Sequence, residues 1–190
     1  MSNINFVNLH RYQDIERVVY QKVKEWHPKI IVELGHGSGA LTSAMGLALQ
    51  QTNPAARIYS YDINGIDDYA LGTSSHSALK NITSRGLENI VKFTKGDVFD
   101  TWVSDPCEFD LLLIDIDNTW DMIYRIIIEN AVIHNCMRLG AKVLIEGGDP
   151  NHPRINNVTL AQFNKTKNNE VFKMNYLTGS GRTSLSILEI

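Results

Sequence analysis

Cysteine is scarce in this chain of 190 residues, which contains two, Cys107 and Cys136. They do not occur at the short spacings typical of metal ligands, and one pair of thiols cannot form the disulfide framework of a small secreted domain. We therefore expect structural roles for both residues, a reducing compartment and a cytoplasmic location.

Long apolar runs and an excess of one charge are also missing. No apolar stretch approaches the roughly 20 residues needed to cross a bilayer, and no basic segment followed by an apolar one opens the sequence. The formal net charge is −3, without a run of Lys and Arg. This composition favours neither nucleic acid nor a membrane as a partner.

Apolar runs of strand length alternate with helical patterns, which is typical of an α/β fold. The sequence predicts one domain over 1–190, with an N-terminal helical segment at 1–28 and a Rossmann-like core at 29–190. The expected architecture is a doubly wound, mostly parallel seven-stranded sheet with a C-terminal antiparallel hairpin. Predicted helices cover 12–26, 41–50, 74–85, 119–137 and 155–163; predicted strands cover 30–34, 57–62, 90–94, 109–115, 142–146, 170–174 and 184–189.

A glycine-rich turn follows the first predicted strand and reads Gly35-His36-Gly37-Ser38-Gly39-Ala40. Glycines let the backbone approach a ligand closely, and the next helix offers unpaired N–H groups. Glu33, just before the turn, would repel a pyrophosphate but would hold a ligand that carries an ammonium group or hydroxyls. The spacing Gly35-x-Gly37-x-x-Ala40 also fits the relaxed dinucleotide fingerprint, so a nicotinamide-dependent oxidoreductase stays an alternative.

Acidic residues end strand after strand in this prediction. They are Glu33, Asp62, Asp97, Asp115 and Glu146. In open α/β sheets the ligand crevice lies at the carboxyl ends of the strands, so these carboxylates should converge on one cleft. Asp62 is placed to accept both hydroxyls of a ribose, and Asp97 to accept from the exocyclic amine of a nucleobase or to cap a turn.

With these features in order, the chain resembles the class I S-adenosylmethionine (SAM)-dependent methyltransferases over about residues 30–150. Residues 33–39 match the first motif of that family, Asp62 its ribose-binding acid, Gly96-Asp97 its adenine-side acid and 110–115 its fourth-strand motif. The resemblance implies that the turn approaches the methionine portion and that Glu33 supports its ammonium group. The implied cofactor-binding residues are Glu33, Gly35, His36, Gly37, Ser38, Gly39, Asp62, Ile63, Asp97, Val98 and Asp115.

A narrower resemblance concerns residues 114–120, which are similar to a segment of catechol and caffeoyl-CoA-type O-methyltransferases and of families that modify sugars and antibiotics. In the metal-dependent members, the first acid of this segment and an Asp-Asn pair after the fifth strand bind magnesium, and a lysine acts as base. Asp115 matches the first ligand, but Asn118 stands in the lysine position and Glu146-Gly147-Gly148-Asp149 lacks the asparagine. Two interpretations stay open: a Mg²⁺ site formed by Asp115, Glu146 and Asp149, or hydrogen bonding by Asp115 and Asp117 without an ion.

The leading hypothesis is SAM-dependent methyl transfer to a small-molecule acceptor, at oxygen in preference to nitrogen. A hydroxyl acceptor must lose a proton, and the predicted catalytic residues are Asp115, Asp117, Glu146 and His152, with Asp149 a further candidate base. A non-catalytic SAM-binding module is a further alternative. With so little chain outside the core, the acceptor site must come from the opening segment, the loop 63–75, the loop after Glu146 or a neighbouring subunit of a homodimer.

Two aromatic residues have open roles. His36 either points at the ligand or fills the glycine turn, and Trp120 either stacks on a flat substrate or belongs to the core.

Overall fold

Seven strands form a single sheet in the computed structural model, which describes residues 4, 6, 13–67, 77–130, 135–180 and 183–190. The strands are β1 (Ile30–Leu34), β2 (Arg57–Asp62), β3 (Val91–Lys95), β4 (Phe109–Ile114), β5 (Met137–Glu146), β6 (Lys173–Ser180) and β7 (Thr183–Glu189).

The strand order is β3-β2-β1-β4-β5-β7-β6. The pairs from β3 to β5 are parallel, whereas β7 runs antiparallel to both β5 and β6. Strands β2 and β3 follow on one side of β1, and β4 and β5 lie on its other side. Open α/β sheets bind ligands at the point where the strand order reverses in this way, which is here between β1 and β4. The predicted Rossmann-like sheet with a C-terminal antiparallel hairpin is confirmed.

Helices flank this sheet. They are α1 (Gln13–Trp26), α2 (Ala40–Thr52), α3 (Ala78–Thr83), α4 (Trp120–Tyr124), which continues as a π-helical segment (Arg125–Glu129), and α5 (Asn157–Thr166). None of these helices has the length and the apolar character needed to span a membrane, as judged over the described residues.

The central strand β4 explains why its sequence is apolar at nearly every position. Leu111 and Leu113 pack on one side of the sheet with residues of α1 and α2, such as Val19 and Leu49. Leu112 and Ile114 pack on the other side with α4 and its π-helical continuation. All four leucine and isoleucine side chains of β4 are fully buried. A strand covered on both faces needs apolar residues in both alternating sets.

The predicted strand 142–146 begins too late. Asn135 and Cys136 are still helical, close to the predicted end of helix 119–137, but Met137 already begins β5 and pairs with Phe109, ahead of a register shift between Phe109 and Leu111. Gly140 (φ 83°) therefore lies inside β5, not at the end of a helix. Strand pairing outweighed helical periodicity here. Residues 131–134, in the same predicted helix, lie outside the described residues.

The hairpin is also longer than predicted. Strand β6 covers Lys173–Ser180, and Thr178 and Gly179 pair with Leu185 and Ser184 of β7. These turn-forming residues were predicted as the connection, but the partner strand recruits them into the ladder. Of the predicted helix 74–85, residues 74–76 lie outside the described residues, and α3 follows an N-cap at Ser77 whose side chain accepts from the Lys80 N–H.

Candidate cofactor site

A cleft of about 380 Å³ opens at the carboxyl ends of the parallel strands, where ligands bind in such sheets. Its lining comprises Gly35, Asp62, Ile63, Asn64, Gly96, Asp97, Val98, Phe99, Asp115, Ile116, Asp117 and Met122. Six of the predicted cofactor-binding residues are among them, namely Gly35, Asp62, Ile63, Asp97, Val98 and Asp115. The structure therefore brings together the acid that ends β2 and the acids that follow β3 and β4.

Gly35 lies where three strands converge. Its N–H donates to the Tyr61 carbonyl of β2 at 2.7 Å, and the Asp115 N–H donates to the Leu34 carbonyl of β1 at 2.7 Å. Gly35 has a φ of 87°, and a Cβ atom there would overlap the backbone oxygen of Asp115. Only glycine fits, because both the left-handed backbone and the close approach of β4 exclude a side chain.

Asp62 ties the glycine turn to the end of β2. Its Oδ2 accepts from the backbone N–H groups of His36 and Gly37 at 2.9 and 3.0 Å. Its Oδ1 accepts from the backbone and side-chain nitrogens of Asn64 at 2.8 and 3.2 Å. Asp62 thus fixes the turn that forms one wall of the cleft, and its side chain is almost fully buried.

Glu33 lies beneath the turn and does not line the cleft. Its carboxyl group is fully buried and accepts from the hydroxyls of Thr42, at 2.7 and 2.9 Å, and of Ser60, at 2.6 Å. The pKa of Glu33 is raised to about 8, mainly by burial and also by the charges of Asp115 and Asp62, against the opposing effect of these hydrogen bonds. The expected contact between Glu33 and a ligand ammonium group stays a prediction.

His36 and the end of the turn support the cleft from behind. The His36 ring is buried, with Nδ1 3.0 Å from the Gly37 carbonyl oxygen and its edge against Phe93 at a centroid distance of 5.0 Å. It fills the turn and is absent from the cleft lining. The Ser38 carbonyl accepts from the Asn81 amide at 2.7 Å, and Gly39 caps α2 with a φ of 74°.

The loop after β4 carries Asp115, Asp117 and Asn118. Asp115 is half-buried, whereas Asp117 is exposed and its Oδ1 is 2.6 Å from Nη2 of Arg154. Asn118 points inward: its amide donates to the carbonyls of Ile114 and Glu146, and its Oδ1 accepts from the Ile116 N–H. A buried amide with a structural role therefore occupies the position at which metal-dependent O-methyltransferases have a lysine base.

Glu146 ends β5, and Asp149 and His152 follow it; all three are absent from the cleft lining. Glu146 and Asp149 are buried, and Oδ1 of Asp149 accepts from the Asn151 N–H at 2.7 Å. The Arg154 N–H donates to Nδ1 of His152 at 3.3 Å. The neutral imidazole then carries its proton on Nε2.

The magnesium site predicted from Asp115, Glu146 and Asp149 is not formed. Within the described ranges, no three His, Cys, Asp or Glu side chains are grouped closely enough to hold a metal ion. Glu146 and Asp149 are buried and absent from the cleft lining, whereas Asp115 lines the cleft. These residues therefore do not fit a magnesium ion in this arrangement.

Several lining residues were not predicted from the sequence, namely Asn64, Phe99, Ile116 and Met122. Asp117, predicted as a catalytic residue, and Gly96, part of the adenine-side motif, also line the cleft. Asn64 follows Asp62 by two positions, a spacing typical of an Asx turn, and could have been inferred. Phe99 and Met122 carry no local pattern. Trp120, in contrast, is buried and stacks on Phe163 and Phe172 at centroid distances of 6.0 and 5.9 Å, so it belongs to the core.

A second, larger cleft of about 880 Å³ lies between α5 and β6. Its lining includes Asn164, Lys165 and Lys173 but none of the predicted site residues. It also lies away from the carboxyl ends of the parallel strands, so the smaller cleft is the candidate site.

Comparisons with known proteins identify the family and the fold of this chain. A family model described as a methyltransferase domain matches residues 32–136. Comparison with curated protein sequences finds no match. Among solved structures, the O-methyltransferase TomG from Streptomyces achromogenes, involved in tomaymycin synthesis and in complex with SAM, superposes with a TM-score of 0.64 at 14% identity, covering 94% of this chain and 80% of that one.

Two further structures have the same fold. The O-methyltransferase from Bacillus cereus in complex with SAH gives a TM-score of 0.63 at 15% identity, covering 92% of this chain and 80% of that one. A ribosomal protein L11 methylase from Lactobacillus delbrueckii subsp. bulgaricus gives 0.61 at 16% identity, covering 99% and 82%. The family model spans more than half of the sequence, and this chain belongs to the methyltransferase-domain family, as a class I SAM-dependent methyltransferase.

Proposed function

We propose that this enzyme transfers the methyl group of SAM to a small molecule, at oxygen in preference to nitrogen. One observation carries the proposal: Gly35, Asp62, Asp97 and Asp115, which match four motifs of the family, line one cleft. The preference for oxygen is supported by the resemblance of residues 114–120 to O-methyltransferases and by the O-methyltransferases among the similar structures. A ribosomal protein methylase shares the fold, so the fold alone is compatible with a larger acceptor.

The cleft residues suit the parts of the cofactor. Oδ1 of Asp62 is the acceptor for ribose hydroxyls, which would replace the 3.2 Å contact with the Asn64 amide. Ile63, 66% exposed, offers an apolar surface beside Asp97 and Val98, where the adenine would lie. Asp115 and the backbone at Gly35 border the methionine end. Glu33, His36, Gly37, Ser38 and Gly39 act indirectly, because they shape the turn.

Catalysis in this site is mainly positioning. Bound SAM supplies an electrophilic methyl group on a sulfonium. The protein must align the acceptor atom with that methyl group and remove a proton from a hydroxyl acceptor. Asp115 and Asp117 are the candidate bases that line the cleft. His152 would first have to give up the hydrogen bond at Nδ1, and Glu146 would have to reach the cleft from its buried position.

The proposal also includes the domain organisation, the cellular location and the oligomeric state of the enzyme. We infer a single domain over residues 1–190 and a cytoplasmic location, which agrees with free thiols at Cys107 and Cys136. We also propose a homodimer, in which the neighbouring subunit is a source of acceptor contacts beside the opening segment, the loop 63–75 and the loop after Glu146.

Calorimetry with SAM, SAH and NADH tests the proposal. We expect SAM and SAH to bind and NADH not to bind. Asp62→Ala should weaken SAH binding about tenfold or more, because it removes the ribose acceptor and releases the turn. Asp100→Asn, which changes an exposed acid outside the cleft lining, is the matched control. No binding of either sulfur ligand to the wild type would refute the proposal.

Turnover tests the acceptor. Labelled SAM is incubated with hydroxylated compounds and with their amino analogues, and the methylated products are identified by mass spectrometry. We expect methyl ethers to form faster than methylamines. Faster N-methylation would contradict the preference for oxygen, and label transfer to protein alone would contradict a small-molecule acceptor.

A further inference from the structure

Arg154 stands at the rim of the cofactor cleft. Its Nη2 lies 2.6 Å from Oδ1 of Asp117, which lines the cleft between Ile116 and the loop after β5. About a third of the Arg154 side chain and most of the Asp117 side chain are exposed. The pair is therefore accessible to a ligand that enters the cleft.

The backbone around Arg154 is held firmly. Its own N–H donates to Nδ1 of His152, and the preceding Pro153 carbonyl accepts from the Thr159 hydroxyl at 2.6 Å. The next residue, Ile155, is almost fully buried. Arg154 is thus presented from a fixed loop, and a rotation of its side chain is enough to change its partner.

The charged residues that line the cleft, among those that the structure describes, are of one sign. They are Asp62, Asp97, Asp115 and Asp117, and no described Lys or Arg is among them. This arrangement suits a sulfonium and an ammonium group but opposes a carboxylate. A ligand carboxylate therefore needs a cation at the rim, and a guanidinium is well suited because it binds carboxylates through paired N–H donors.

Arg154 has donors available for this task. Its guanidinium has five N–H groups, and over the described ranges its side chain bonds only to Oδ1 of Asp117, through Nη2. An exposed ion pair of this kind contributes little to stability, so exchanging one carboxylate for another costs little. Asp117 can move away on its exposed side while Arg154 keeps its backbone contacts.

We propose that Arg154 binds a ligand carboxylate in the assembled site and that Asp117 is its counter-ion when the ligand is absent. This inference rests on the proposed function. The carboxylate has two possible sources, the methionine portion of the cofactor or the methyl acceptor, and the two require different tests.

The first test compares SAH with 5′-methylthioadenosine, which lacks the amino-acid portion. Calorimetry is performed on the wild type, Arg154→Met, Arg154→Lys and Lys22→Met, the last being a charge control on α1. If the cofactor supplies the carboxylate, Arg154→Met weakens SAH binding about tenfold and leaves methylthioadenosine binding unchanged. Arg154→Lys should restore part of the affinity, and Lys22→Met should match the wild type.

The second test uses the SAH complex with benzoate and with benzamide, which differ in charge but not in shape. If the acceptor supplies the carboxylate, the wild type binds benzoate more tightly than benzamide, and Arg154→Met removes the difference. Asp117→Asn, which frees the guanidinium, should increase the affinity for benzoate severalfold.

Either pattern supports the proposal and identifies the source of the carboxylate. It is overturned if Arg154→Met changes neither SAH nor benzoate binding, or if it weakens SAH and methylthioadenosine equally. Thermal unfolding of each variant should match the wild type, since the pair is exposed. If the wild type binds neither SAH nor methylthioadenosine, the proposed function fails instead.

Discussion

The side-chain amide of Asn118 donates a hydrogen bond to the backbone carbonyl of Glu146 at 2.5 Å, joining the carboxyl ends of β4 and β5. The same amide donates to the Ile114 carbonyl at 3.2 Å, and the side chain is 1% exposed. One buried amide therefore connects the loop that lines the cleft with the loop that presents Arg154.

Asn118→Ala should destabilise the protein by about 2–4 kcal/mol, because it removes two hydrogen bonds that a buried amide donates to backbone carbonyls. Urea unfolding measures this cost. Asn130→Ala is the matched control, since the Asn130 amide also donates to a backbone carbonyl, that of Arg125, but at the surface. Equal losses of stability in the two variants would show that the buried connection between β4 and β5 stabilises the protein no more than a hydrogen bond at the surface.

The buried carboxyl of Glu33 predicts a pH dependence of stability. Its pKa is raised from 4.5 to about 8 in the folded protein, so the folded state binds the proton more tightly than the unfolded chain. The resulting stabilisation is complete below the pKa that Glu33 has in the unfolded chain. It is lost as the pH rises through the pKa that Glu33 has in the folded protein. Between about pH 5 and 8, the free energy of unfolding should fall by up to about 1 kcal/mol per pH unit from this residue.

Glu33→Gln removes that titration and keeps the size of the side chain. The rotatable hydroxyls of Thr42 and Ser60 can satisfy an amide as they satisfy a carboxyl group. Urea unfolding of both proteins is measured from pH 5 to 9. As the pH rises, the free energy of unfolding of the variant should increase relative to that of the wild type. A constant difference across this range would mean that Glu33 titrates normally.

Gly35 and Gly37 should respond differently to alanine. Both have positive φ values, 87° and 48°, but a Cβ at Gly35 would overlap the Asp115 backbone, whereas a Cβ at Gly37 meets nothing within 4 Å. Gly37→Ala should cost about 1–2 kcal/mol from backbone strain alone. Gly35→Ala should cost more and should also weaken SAH binding, because β4 must move; similar results for the two variants would contradict this.

Trp120 is expected to serve folding and not ligand binding. Trp120→Ala should destabilise the protein by about 3–5 kcal/mol, because it empties a buried aromatic site. The SAH affinity of the folded fraction should not change, since Trp120 is outside the cleft lining. Unfolding and calorimetry on Trp120→Ala and Trp120→Phe would measure both effects, and a loss of SAH affinity in the stable phenylalanine variant would contradict the prediction.

Chelation tests the predicted magnesium site. Asp115, Glu146 and Asp149 are not grouped closely enough to hold a metal ion, so EDTA should leave the affinity for SAM and the rate of methyl transfer unchanged. Restoration of activity by added Mg²⁺ after chelation would show that these side chains rearrange to form a site that the present arrangement lacks.

The periodicity of the sequence was sufficient to predict the number of strands and their sequence order, because the pattern of apolar residues in a strand reflects the burial of its two faces. The apolar residues at successive positions of β4 follow from burial on both faces, and Gly35 follows from the close approach of β4. Acids at strand ends could be assigned to one cleft, because parallel strands end at the same edge. These features depend on local sequence and on a general rule of topology.

Tertiary structure alone decided which of those residues face the cleft. Glu33 is the last residue but one of β1 and Asp62 is the last residue of β2, yet Glu33 lies beneath the glycine turn against Thr42, while Asp62 reaches the cleft lining. The pairing of Asp117 with Arg154, the inward position of Asn118 and the early start of β5 depend on neighbours that are distant in sequence. Packing determines the direction of side chains and the pairing of residues that are distant in sequence, and no local sequence pattern predicts either.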